Sequence, residues 1–203
     1  MRKGEQTRER ICQIAERGIL SKGYVATSIE EIIVEAGITK SGFFYHFKDK
    51  LDLARVLLER YVENDTAFFE EIFDRADELS DDPLQRMLIF LKLYSEKMTE
   101  VEVSHPGCLI ASYCYQDNQF NNDIRKMMAD AMFSWRDMFR QRFTEIAEKY
   151  PPREDVDLDD LADTVSTMVE GGIIMVKVLK QEDIIGRQTM IFRSLIKTLF
   201  VPT

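Results

Sequence analysis

No stretch of eighteen apolar residues occurs in this chain. A bilayer-crossing helix needs about twenty, so no membrane span is expected. The opening Met1-Arg2-Lys3-Gly4-Glu5 leads into an amphipathic segment without an apolar core, so no signal peptide is expected either. Cysteine is scarce and odd in number, three in 203 residues, which argues against a disulfide framework and for a reducing cytoplasm. The two histidines stand apart from any cysteine pair at ligand spacing, so no metal site is expected. A glycine-rich phosphate loop, a nucleophile elbow and a metalloprotease helix are all missing. Those absences leave no catalytic constellation, so neither an enzyme nor a cofactor is expected. Alternating strand patterns, repeats and low-complexity tracts are missing too. Five prolines and nine glycines fall mostly between helix-periodic segments, which leaves an all-α fold.

Apolar residues make up 45% of the chain, enough for a sizeable core, and charged residues 31%. The net charge of −9 is unevenly spread. Residues 1–60 hold 11 Lys/Arg against 9 Asp/Glu, giving +2, and the remainder holds 16 against 27, giving −11. The asymmetry turns the N-terminal part toward a polyanion and the rest toward solvent.

Helical periodicity divides the chain. A first helix from about Glu5 to Lys22 shows Ile11, Ile14, Ala15, Gly18 and Ile19 on one face, and Gly23 stops it. A second begins at Thr27 or Ser28. Thr27 with Glu30 and Ser28 with Glu31 each form a capping box, which leaves the register open by one residue. Gly37 falls where a tight turn needs positive φ. Thr39 caps a third helix over 40–46, and a fourth runs from about Asp49 to Ala76. Asp82-Pro83 opens a helix over about 83–100. His105-Pro106-Gly107 interrupts the chain before a short apolar helix from Cys108 to Tyr115. Three long helices follow, over about 121–149, 157–180 and 183–200, with Pro151-Pro152 ending the first.

The stretch from Ala36 to Leu53 reads as the turn and second helix of a helix-turn-helix. Ile38, Phe43 and Phe47 can hold this short helix against its neighbours, which leaves Thr39, Lys40, Ser41, Gly42, Tyr45 and His46 on the free face. Small, polar and flat-ringed residues suit a helix lying in a DNA groove. Lys40, Lys48 and Lys50 are expected to position the protein on phosphates, and Thr27 and Ser28 to present a helix N-terminus to one.

The sequence AGITKSGFFYHFKDKLDL, preceded by GYVATSIEEIIVEAG, resembles the DNA-binding domain of the tetracycline-repressor (TetR) family of bacterial regulators. About thirty positions agree in residue class and spacing, within roughly residues 5–53. Lys50 and His46 match positions that contact phosphate in the family. Position 44 departs from the pattern, because the family's phosphate-binding tyrosine is here Phe44. Phe44 is assigned to packing, and Tyr45 is expected to supply the hydroxyl. The resemblance implies residues 1–53 as a DNA-binding domain and 54–203 as a helical ligand-binding and dimerisation domain, with the fourth helix connecting the two.

In such a protein the last two helices would pair with a twofold mate, here through Val165, Met168, Gly172, Val176, Phe192, Leu195 and Leu199, placing two heads on a palindromic operator. Nine of the ten methionines follow residue 86, interleaved with aromatics. That composition suits a pocket for an apolar or aromatic effector, assigned to Met98, Tyr113, Met132, Trp135 and Met175. The segments PGCL, at Cys108, and EGGIIMVK, up to Lys177, resemble a branch of the family that includes electrophile and oxidant sensors. Cys108 is therefore also a candidate reactive thiol, with His105 or Lys177 as its base; Cys12 and Cys114 read as structural. The expectation is a dimeric, effector-released repressor. Its alternatives are a thiol-based sensor of the same fold and a helical adaptor that does not read DNA.

Overall fold

The computed structural model describes residues 3–100 and 107–201. Among them the regular structure is helical throughout: α1 (Lys3–Lys22), α2 (Ile29–Ala36), α3 (Lys40–His46), α4 (Lys50–Leu79), α5 (Pro83–Glu100), α6 (Leu109–Cys114), a 3-10 turn (Asp117–Gln119), α7 (Asn122–Lys149), α8 (Leu158–Leu179) and α9 (Ile184–Phe200). Capping chemistry sets the boundaries. Gly37 ends α2 at φ 61°, ψ 39°, the left-handed conformation expected of it. Asp82 accepts from the Gln85 amide at 2.9 Å, one residue before Pro83 opens α5. None of the described helices is long and apolar enough to cross a membrane.

The chain packs as two units. One comprises the described residues of Met1–Asn64 and Pro106–Asp130, the other those of Asp65–His105 and Ala131–Thr203. The sequence expectation divides the chain after residue 53, whereas here α6 and the start of α7 pack with the N-terminal helices. The reason is aromatic. The Tyr113 ring stacks on Phe120 at 4.5 Å and meets Tyr24 edge-on at 5.9 Å, while its hydroxyl donates to the Ala54 carbonyl at 3.1 Å. Gln116 adds a backbone contact across 91 residues, its Oε1 accepting from the Val25 amide at 2.9 Å. Ile11, Ala15, Ile19, Ile32, Phe43, Phe47, Leu53 and Leu57 complete this core.

The second unit is built on an aromatic layer. Phe73 stacks on Phe90 at 3.9 Å, and Phe139 meets Phe69, Phe73 and Phe90 at 5.6–5.7 Å. Buried rings of this kind contribute transfer energy plus about 0.5–1.5 kcal/mol per well-oriented pair. Small residues let α9 lie close to α5: Ser95 Oγ donates to the Gly186 carbonyl at 2.9 Å, and a Cβ on Gly186 would meet the Ser95 carbonyl oxygen at 2.9 Å. Gly172 likewise admits Ile185 of α9 against α8.

Candidate functional site

Three turns of backbone set up the candidate nucleic-acid face. The capping box at the start of α2 takes the Ser28 register. The Glu31 amide donates to Ser28 Oγ at 3.2 Å, and the Ser28 amide donates to the Glu31 carboxylate at 3.0 Å. Thr27 is excluded from that role because it is 3% exposed and its hydroxyl donates inward to the Gly23 carbonyl at 2.9 Å. Gly18 makes room for it, since a Cβ there would meet Thr27 Cγ2 at 2.9 Å. Lys22 stands 2.8 Å from the Glu31 carboxylate; this contact, with the donors of Ser28, holds that carboxyl down at about 2.

Helix α3 starts at Thr39, whose Oγ1 accepts from the Gly42 amide at 3.1 Å and lies 3.0 Å from Ser41 Oγ. Phe43 and Phe47 are fully buried. Their burial turns the opposite face outward, and Thr39, Lys40, Ser41 and Tyr45 are exposed, Tyr45 by 82%. Lys48 is exposed beyond the helix end. Gly42 is half-buried against Thr39 and Ile38, and half-buried His46 lies edge-on to the Tyr45 ring at 5.0 Å. Phe44, expected to pack, is instead 44% exposed and only leans edge-on against Phe43 at 5.3 Å. The seven-residue helix has room for one buried stripe, and Phe43 and Phe47 fill it.

Lys50, expected to meet a phosphate, is half-buried. Its ammonium donates to the Tyr24 carbonyl at 2.5 Å and sits 4.1 Å from the Tyr24 ring centroid. Partial burial lowers its pKa, against the opposing pull of Glu31. The lysine thus ties the N-terminus of α4 to the turn before α2. Desolvation by the same packing raises the Tyr24 hydroxyl to about 12. Arg60 pairs with Glu9 through two 2.7 Å bonds, a fork that braces α4 against α1.

The five residues expected to line an effector pocket, with the candidate thiol and its base, divide between the two units. Cys108 and Tyr113 belong to the first unit; Met98, Met132, Trp135, Met175 and Lys177 belong to the second. Tyr113 is core, with its hydroxyl on Ala54. Met132, Met175 and Lys177 face outward, and Met98 is half-buried. Trp135 is buried. Cys108 is buried as the N-cap of α6, its Sγ accepting from the Ala111 amide at 3.4 Å. His105, its other candidate base, and Pro106 lie outside the described residues. Cys114, read as structural, is exposed, whereas Cys12 is buried, which raises its pKa.

Of the residues expected to meet a second chain, Val165, Gly172, Val176 and Phe192 pack inside their own unit, Met168 and Leu199 are half-buried, and Leu195 is exposed. Sequence reasoning missed the other apolar face of the same helices. Ile174, Met175, Val178 and Leu179 on α8 and Ile191 on α9 are exposed with Leu195. Among the described residues no group of three His, Cys, Asp or Glu could hold a metal ion.

Residues 11–57 match the family described as bacterial regulatory proteins, tetR family. Residues 83–187, just over half the chain, match the transcriptional regulator LmrA/YxaF-like C-terminal domain. The transcriptional regulator AcuR of Cereibacter sphaeroides is 27% identical over 166 residues, covering 81% of this chain and 74% of that protein. The HTH-type transcriptional repressor DhaR of a Mycobacterium species is 20% identical over 190 residues, covering 93% of this chain and 92% of that one. A TetR transcriptional regulator from Chloroflexus aurantiacus superposes with a TM-score of 0.79 over 98% of each chain at 22% identity, a likeness of fold.

Proposed function

We infer the working of this chain from one premise: it belongs to the TetR family of bacterial transcriptional regulators, with that family's DNA-binding head and an LmrA/YxaF-like C-terminal domain. It is a DNA-binding regulator, and the reading proposed here is a repressor that holds a palindromic operator as a dimer and lets go when a small molecule occupies the second unit. The observation that carries it is the two-sidedness of α3, with Phe43 and Phe47 buried behind an exposed edge of Thr39, Lys40, Ser41 and Tyr45. In a major groove, Lys40 and Lys48 would meet phosphates, and Ser41 and Tyr45 would meet base edges or sugars. The N-terminus of α2, capped by Ser28, would present its amides to a phosphate. Thr27 and Lys50 act behind this surface by shaping it.

Dimerisation is proposed through the exposed apolar residues Ile174, Val178, Leu179, Ile191 and Leu195 on α8 and α9. Exposed apolar residues on two helices that pack together suit burial against a second copy. Release by an effector requires that the effector bind the DNA-incompetent arrangement more tightly than the competent one.

Selection of duplexes from random DNA with the purified protein tests the reading. The expected result is an enriched inverted repeat whose binding weakens when Tyr45→Ala is introduced. No enriched sequence would favour a helical adaptor instead, and unchanged binding by Tyr45→Ala would move the reading surface away from α3.

A further inference from the structure

The second unit holds polar groups that the chain leaves without partners. Asp65 on α4 and Glu170 on α8 are half-buried, and among the described residues neither forms a hydrogen bond or an ion pair. Tyr94 on α5 is 4% exposed, and its hydroxyl likewise has no hydrogen-bond partner among the described residues. Trp135 Nε1 on α7 is buried and unpartnered in the same sense. Such groups normally find partners, because leaving one unsatisfied costs about 1–3 kcal/mol.

Helix geometry brings these groups to one side of the aromatic layer. Phe69 packs on the Tyr94 ring at 5.8 Å, just as Phe73 packs on Phe90, so α4 and α5 run antiparallel. Phe73 lies against Phe139 and Asp77 pairs with Arg142 at 2.9 Å, so α4 and α7 run parallel. Asp65 therefore lies one turn before Phe69, Trp135 one turn before Phe139 and Tyr94 one turn after Phe90, all on the same side of the layer. Glu170 reaches that side from α8, since its charge acts on both Asp65 and the Tyr94 hydroxyl. Among the described residues no lysine, arginine or histidine figures among the charges acting on Asp65. Burial, then Glu170, pushes the Asp65 carboxyl up to about 6.

Two uncompensated carboxyls beside an inward phenol and indole amount to an excess of negative charge walled by rings. Phe69 extends the wall, whereas Phe68, at 6.1 Å from Tyr94, already has the Lys97 ammonium 6.0 Å from its ring centroid, a lysine that pairs with Glu71. A metal ion fits poorly here, since the described residues offer only two acidic ligands and no third His, Cys, Asp or Glu in reach. An anion would be repelled. Aromatic faces and carboxylates together suit a large, weakly hydrated organic cation.

We propose that the effector of this regulator is an organic cation with an apolar body, an amine or quaternary ammonium, seated against Asp65, Glu170 and Tyr94. This rests on the regulator reading above and assigns its ligand a charge. Bound there, the cation supplies the partner both carboxylates lack, and the rings enclose its apolar groups.

Trp135 is the only tryptophan in the chain, so its fluorescence reports on the site. The full-length protein is titrated at neutral pH with benzyltrimethylammonium and with tetraphenylphosphonium. The expected result is saturable binding of at least one cation, weakened about 30-fold or more in the double variant Asp65→Asn/Glu170→Gln. Neopentylbenzene, the neutral isostere of benzyltrimethylammonium, is expected not to compete. The result that overturns the proposal is no binding of either cation, equal binding by the double variant, or equal competition by the neutral isostere. Thermal melts check that the double variant folds, with Glu170→Gln alone read in its place otherwise. Binding of the same preparations to selected duplex DNA separates the two readings. Intact DNA binding without cation binding sinks only this proposal, and lost DNA binding with cation binding sinks only the regulator.

Discussion

The two units differ in how many of their interior polar groups find a partner within the chain. In the first, Thr27 donates to Gly23, Tyr113 to Ala54 and Lys50 to Tyr24, and Arg60 forks onto Glu9. In the second, Arg86 Nε and Trp135 Nε1 are buried without partners among the described residues, and burial, then the charge of Glu170, raises the Asp65 carboxyl. A head that must present one surface to DNA gains from bonded supports such as these, because they over-determine its geometry. A body that must respond to something gains from groups whose partners arrive from outside, because those groups supply the differential affinity that moves a population.

The comparison breaks most visibly at the aromatic layer. Phe139→Ala removes the ring that touches Phe69, Phe73 and Phe90, and is expected to destabilise the second unit by about 3–5 kcal/mol. Urea unfolding followed at Trp135 measures it. A loss under about 1 kcal/mol would mean that the layer is not what holds this unit together.

The next effect has the opposite sign. The folded Asp65 carboxyl titrates at about 6, above its ordinary unfolded value. The folded state therefore holds the proton more tightly. The associated stability is fully present below the unfolded pKa and is lost as pH rises through about 6. Asp65→Asn is expected to stabilise the effector-free protein by about 1–3 kcal/mol at pH 7.5 and to have little effect below about pH 4. Thermal melts of both proteins at the two pH values decide it, and a gain of equal size at both would assign the effect to something other than charge.

The smallest effect sharpens the first unit. Ser28→Ala removes the hydroxyl that accepts from the Glu31 amide, which is expected to cost about 1 kcal/mol. Glu31 itself is depressed to about 2 by Lys22 and Ser28. Its contribution is present above the ordinary carboxylate pKa and is lost as pH falls toward about 2. Acid titration of α2 amide shifts by NMR should place the transition near there, and a transition near 4 would mean the box does not persist in solution.

The head was the more legible part of the sequence because its contacts are local. The spacing of Ile38, Phe43 and Phe47 separates buried from free residues within one short helix, and Gly37 announces its left-handed turn. Thr27 against Ser28 could not be decided from the sequence, because both positions satisfy the capping pattern. The inward turn of Thr27, permitted by Gly18, settles it. Lys50 beside a DNA-binding motif reads as a phosphate contact, and its seat on the carbonyl and ring of Tyr24, 26 residues away, has no signal in the sequence. In the second unit the C-terminal half of α8 is apolar almost all round, so periodicity did not tell the buried face of Gly172 and Val176 from the exposed face of Ile174 and Val178. Asp65, Tyr94 and Glu170 stand on three helices and carry no motif, and nothing short of the packing assembles them.

Binding of the purified protein to its selected duplex across a salt series, beside Lys40→Ala and Tyr45→Ala, is the most direct test of the claim that α3 is the reading element. Lys40→Ala is predicted to weaken binding to all sequences alike and to flatten the salt slope by about one ion. Tyr45→Ala is predicted to lower the preference for the selected sequence by about 1–3 kcal/mol with the slope unchanged. Wild-type affinity and slope in both variants would contradict it, and would mean that some other surface of the chain holds the DNA.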